Sequence, residues 1–173
     1  MHVTVGLHPP TRLDAMRAAL GDCADDVEFR RAVDAGGEIP AELIERLAAR
    51  LAPQDVARRA RQRFVDSRRP ILDGQLTQVR KLPALTIDTP LKRRATVIAD
   101  LERRPAGGVA LRFEGKRVEF PAHAAAEVGA VHAAPASFTA AELPGRLDAA
   151  GRLVLVRRLV REGFLLMAGP QPH

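Results

Sequence analysis

Apolar and polar positions alternate at the start of the chain. Val3, Val5 and Leu7 are separated by Thr4 and Gly6, and Pro9-Pro10 ends the run. This is the period-two signature of a half-buried strand. A strand needs a neighbour for its backbone N–H and C=O groups, yet the next strand-like pattern lies roughly eighty residues downstream. From Thr11 the period becomes helical. Thr11 is a good N-cap with Asp14 as its box partner, and Leu13, Met16, Leu20 and Cys23 share one face. "DDVEFRRAV" predicts a second, short helix, and Gly36-Gly37 a break. Pro40 suits the first position of a helix carrying Leu43, Leu47 and Leu51. Ala52-Pro53 ends it and opens another along Val56, Ala60 and Phe64; Pro70 opens a further one with Ile71, Leu72, Leu76 and Val79. Residues 11–82 thus read as four or five amphipathic helices.

The pattern changes again near residue 84. "LTIDTPLKRR" reads as a connection around Pro90, and "ATVIADLERR" as a strand. "GGVALRFEGKRVEF" is the clearest hairpin: Val109, Leu111 and Phe113 alternate, Glu114-Gly115-Lys116 turns, and Val118 and Phe120 return. Pro121 starts a helix to about Val131. Thr139 and Glu142 have the spacing of a capping box, predicting a short helix stopped by Pro144-Gly145. Asp148 caps a last helix with the apolar arc Leu153, Leu155, Val156, Leu159 and Val160; Gly163 stops it, and "FLLMA" is a final strand. Helix, short helix, longer helix, strand is the skeleton of a winged-helix domain. The expected fold is α+β, mostly α: an orphan N-terminal strand at 1–10, a helical region at 11–82, a winged-helix-like domain with a three-strand meander at 83–168, and a tail at 169–173.

Composition narrows the picture. The 173 residues are 46% hydrophobic and 28% charged, a globular balance, but Trp and Tyr are absent, so the core must be aliphatic with Phe. The net charge of +6 comes almost wholly from Arg, since Lys81, Lys92 and Lys116 are the only lysines. Basic charge permits nucleic-acid binding without requiring it, and an Ala/Arg-rich bias also arises from GC-rich coding sequence. Cys23 is the only cysteine, so neither an internal disulfide nor a cysteine-based zinc site is available. Together with the absence of a signal-like start or a membrane-length apolar run, this points to the cytoplasm.

Candidate chemistry is sparse. His2 and His8 flank the first strand on one side without an evident third ligand, and no HxD, HExxH or CxxC spacing occurs. Gly36-Gly37 and Gly107-Gly108 lack the pattern of phosphate loops, and Cys23 falls on an apolar stripe, as a core thiol does. The strongest binding feature is basic. Arg157, Arg158 and Arg161 share the polar arc of the last helix and are candidate nucleic-acid or partner contacts. The favoured reading is a solvated face with local ion pairs, such as Arg158 with Glu162.

"HVTVGLHPPTRLDAMRAAL" is similar to a stretch of the JmjC-type cupin oxygenases of the ribosomal-oxygenase group, where a final barrel strand leads into a dimerisation region. "ADDVEFRRAV", "SRRPILDGQL", "DTPLKRR" and "FTAAELPGRLDAAGRLVLVRRLVREGFL" resemble, in order, later segments of the bacterial members, ending in their winged-helix domain. The resemblance covers nearly the whole chain. It implies a family of Fe(II)- and 2-oxoglutarate-dependent protein hydroxylases whose iron ligands, an H-x-D pair and a later His, lie upstream of the strand that opens this chain. It therefore implies no catalytic or metal residue here, places Thr4 near the cosubstrate pocket, and makes the helical region a dimerisation region.

The expectation is a non-catalytic C-terminal portion of such a hydroxylase, serving dimerisation and docking of a ribosomal or other protein substrate. Alone it binds neither Fe(II) nor 2-oxoglutarate and has no hydroxylase activity. It forms a homodimer and has no membrane partner; nucleic acid is not the favoured partner. The alternative is a free-standing basic winged-helix DNA-binding regulator.

Overall fold

The structure is a computed structural model and describes residues 11–33, 36–105 and 107–168. The opening strand, Thr4, His2 and His8 lie outside the described residues. The chain divides into two compact units between Phe64 and Val65, earlier than the 82/83 boundary read from the sequence.

The first unit is helical. α1 (Arg12–Gly21) begins with the full capping box: the Asp14 amide donates to Thr11 Oγ1 at 3.1 Å, and the Thr11 amide and hydroxyl donate to the Asp14 carboxylate at 2.9 and 2.6 Å. These bonds from the Thr11 hydroxyl and amide hold the Asp14 carboxyl below its ordinary pKa. The predicted second helix is reduced to 3₁₀ turns at Asp22–Asp25 and Glu28–Arg30. There Phe29 lies under the guanidinium groups of Arg46 and Arg50, at 5.7 and 5.6 Å from its centroid, while Asp26 pairs with both arginines. That cluster fastens the segment to α2 (Ala41–Arg50), and α3 (Pro53–Ser67) follows directly.

The second unit is α+β. α4 (Gln75–Lys81) is shorter than the pattern predicted, because residues 70–74 do not enter the helix. β1 (Leu91–Arg93) occupies what reads in sequence as a connection. β2 (Ala99–Arg103), β3 (Val109–Phe113) and β4 (Lys116–Phe120) form the predicted antiparallel meander, with Leu101 opposite Leu111 and Leu111 opposite Val118. Glu114 and Gly115 make its tight turn with φ of 49° and 72°, the doubly left-handed geometry that matches strand twist. α5 (Ala125–Ala133) and α6 (Ala149–Arg161) cover the sheet. β5 (Leu165–Met167) pairs with β1 in a second, two-stranded sheet, Leu91 opposite Met167. On its other side Leu91 exchanges backbone hydrogen bonds with Phe138, at 2.7 and 2.9 Å.

The core of this unit gathers Leu111, Phe113, Val128, Val131, Leu159 and Phe164, all fully buried. Phe113 and Phe164 meet edge to face at 5.1 Å, a favourable aromatic geometry. Each such side chain contributes about 1.5–3 kcal/mol of hydrophobic stabilisation. The short helix expected at Thr139 does not form. Its capping box is half made, the Thr139 amide donating to Glu142 at 2.7 Å, but Pro144-Gly145 follows before a turn can propagate. The winged-helix skeleton therefore lacks its middle helix, and residues 139–147 run as turns from the Phe138 bridge to Asp148.

Two polar devices close the unit. Arg94 is buried and donates from Nε to Gly163 O at 3.0 Å, from one terminal nitrogen to the Ile71 and Asp73 carbonyls at 3.2 Å, and from the other to Gln75 Oε1 at 2.6 Å. Gln75 donates onward to two carbonyls of the last turn of α6, Val160, which also accepts from the Gly163 amide, and Arg161. Gln78 accepts from the Met167 amide at 2.8 Å. These bonds make α4 part of the second unit rather than the last helix of the first.

Candidate functional site

The predicted Arg arc lies on α6, which the Asp148 carboxylate caps at its start by accepting from the Gly151 amide at 2.8 Å. Leu155, Val156, Leu159 and Val160 point into the core. This leaves Val154, Arg158 and Arg161 on the outer face, with Arg157 half-buried at its edge. Arg157 donates to the Leu85 carbonyl at 2.9 Å on one flank. On the other flank Arg158 donates to the Glu119 carbonyl at 3.1 Å and lies over the Phe120 ring at 5.0 Å. Arg161 has no side-chain hydrogen bond or ion pair among the described residues.

The expected Arg158–Glu162 ion pair is not formed. Glu162 takes Lys116 from the β4 side instead, at 3.4 Å. Three carboxylates, of Asp66, Glu102 and Glu119, take three arginines of the meander and its β2–β3 connection. Arg112 makes a bidentate pair with Asp66 and a third contact with Glu102, and these carboxylates raise its pKa further. Arg104 pairs with Glu119 at 2.6 Å, and Arg117 with Glu102 and Glu119. Arg104, Arg112 and Arg117 are thus neutralised by carboxylates, whereas Arg157 and Arg158 are held by neutral acceptors. Sequence reasoning found the Arg arc but not this partition, which depends on which strand faces which helix.

Net charge is divided in the same sense. Residues 1–64 contain ten Arg and ten acidic residues, whereas 65–173 contain seventeen basic and eleven acidic ones, so the whole excess of +6 falls in the second unit.

The first unit offers a different surface. Leu13, Met16 and Ile44 are 53%, 48% and 51% exposed, and Leu20, Val27 and Ile39 are also exposed. Three members of the predicted stripe, Leu13, Met16 and Leu20, therefore face outward, and only the fourth, Cys23, is buried, together with Ala18 and Ala19. Cys23 is the core thiol expected from its spacing.

No family model matches the chain, and no curated protein is significantly similar to it. Among the described residues no three His, Cys, Asp or Glu side chains converge. An Fe(II) site of two His and a carboxylate therefore finds no donor set there, and no chemical step is assigned to these residues. No helix of the described residues is long and apolar enough to cross a membrane. A cleft of about 600 Å³ opens between the β2–β3 turn and α5, with Leu101, Val109 and Ala125 in its wall and Arg103 and Arg104 beside them. Glu127 is fully buried elsewhere: its Oε1 accepts from the Leu147 amide at 2.8 Å, and Oε2 has no partner among the described residues.

Proposed function

We propose that this chain serves as the non-catalytic portion of a JmjC/cupin-type protein hydroxylase, pairing two copies through its helical unit and docking a substrate or partner protein through its second. The observation that supports pairing is the outward apolar set Leu13, Met16, Leu20 and Ile44 on a unit with equal numbers of acidic and basic residues. Contiguous exposed apolar groups favour association. A second copy presents the same groups, and the balanced charge sets no net repulsion between like units; a two-fold interface is the usual result. Fe(II) and 2-oxoglutarate belong to the complete family member, and the resemblance of the segments from His2 to Leu165 is what connects the chain to that family.

Light scattering on the chain at micromolar concentration should give twice the 18.7 kDa chain mass. The double variant Met16→Glu/Ile44→Glu should give a monomer, because each new carboxylate would have to be desolvated in the interface. A monomeric parent chain overturns the pairing. The family assignment is tested separately: coding DNA upstream of Met1, read in frame, should encode an H-x-D motif and a later His, and an immediate in-frame stop would count against it.

A further inference from the structure

We propose that the outer face of α6 binds the phosphate backbone of a nucleic-acid duplex without reading its sequence. The inference stands apart from the hydroxylase reading and rests on how the cations of the second unit are held. Arg157 and Arg158 are fixed by the carbonyls of Leu85 and Glu119 and by the Phe120 ring, none of which cancels a charge. Their side chains are thus ordered before any ligand arrives, which lowers the entropic cost of binding. Arg161, with no described partner, stands one turn further along the same face. Helical rise sets Arg157 and Arg161 about 6 Å apart along the axis, a spacing that lets successive guanidinium groups reach different phosphates.

Glu119, whose carbonyl Arg158 contacts, and Glu162, one turn beyond Arg158, are already engaged. The Glu119 carboxylate is held by Arg104 and Arg117, and Glu162 by Lys116. α4 packs along α6 and adds Arg80 and Lys81, both exposed and without a described partner, just before the segment whose Leu85 carbonyl anchors Arg157. A duplex fits better than a single strand. Single-strand binders stack bases on exposed aromatic rings; Trp and Tyr are absent, and the ring that lies against the basic arc, the buried Phe120, is covered by Arg158. With Arg157 and Arg158 tied to its flanks, α6 is also not free to enter a groove, so contacts to the backbone rather than to base edges are expected.

The test is fluorescence anisotropy of the full chain with labelled duplex DNA, duplex RNA, a single strand of the same length, and an acidic peptide. Three phosphate contacts predict an affinity that falls about 40-fold between about 50 and 200 mM salt, a log–log slope near −3. Arg158→Gln/Arg161→Gln should lower the slope by about two and weaken binding at low salt by at least about tenfold. Arg103→Gln removes one exposed, unpaired cation from the end of β2 and should leave duplex affinity within about twofold. Binding of either duplex with this pattern supports the proposal, and the DNA and RNA arms show which duplex is preferred. Four results overturn it: no duplex binding at low salt, an equal loss with Arg103→Gln, tighter binding of the single strand, or equal binding of the acidic peptide.

Discussion

Replacing Arg94 with Ala should lower the stability of the protein by roughly 3–4 kcal/mol, measured as a shift in the urea midpoint at unchanged slope. The guanidinium is buried and serves four acceptors, three of them backbone carbonyls at Gly163, Ile71 and Asp73. Removing it leaves those carbonyls and Gln75 Oε1 in a space too confined for full hydration, and Gln75 then loses its reason to stand under the end of α6. Arg94→Lys keeps a charge but cannot reproduce the planar fork, so its loss should be intermediate, about 2 kcal/mol. A loss below about 1 kcal/mol for Arg94→Ala would mean that water replaces the guanidinium and that α4 is held by its apolar contacts alone.

Gly145→Ala should be comparably damaging, at about 3 kcal/mol or more. The residue has φ of 109°, and an added Cβ would lie 2.2 Å from Glu127 Oε1 and 2.5 Å from Oε2. The carboxylate cannot step aside, since Glu127 is fully buried and holds the Leu147 amide. If the clash is the cause, the same change in a Glu127→Ala background should cost only the backbone term, about 1 kcal/mol. Additive losses in that double-mutant cycle would assign the whole effect to the left-handed backbone instead.

The elements that could be read from the sequence are those whose signal is local. The Thr11–Asp14 box, the 109–120 hairpin and the Asp148-capped helix each combine a period with a stop, and each forms within the described residues. Elements made by partners far along the chain were not legible. β1 looks like a connection because Pro90 and three basic residues surround it; it becomes a strand because Phe138 on one side and β5 on the other satisfy its backbone. The Thr139–Glu142 spacing points to a helix that tertiary pairing at Phe138 and the Pro144-Gly145 break prevent. α1 shows the limit of periodicity most directly. Its spacing finds an amphipathic helix, but Leu13 and Met16 lie on the exposed side, since periodicity defines an apolar face without saying what covers it. The basic arc of α6 was legible as a set of residues. Its electrostatic character was not, because neutralisation depends on where Glu102, Glu119 and Asp66 fall across the meander.

The pairing of β1 with β5 also constrains the order in which the second unit can be completed during synthesis. The meander closes through neighbours in sequence, with a two-residue turn, and can form while the remainder of the chain is still being made. Leu91 must wait for Leu165 to Met167, the last strand of the unit among the described residues, and until they arrive one edge of β1 stays open and the Gln78 clamp has nothing to grip. A nascent chain halted at Gly163 would thus display a strand edge that the finished protein conceals. Such a truncated chain should show faster amide exchange at Lys92 and Arg94, whose N–H groups face β5 and the Phe164 carbonyl just before it, than the intact protein, in which the β1–β5 ladder is complete.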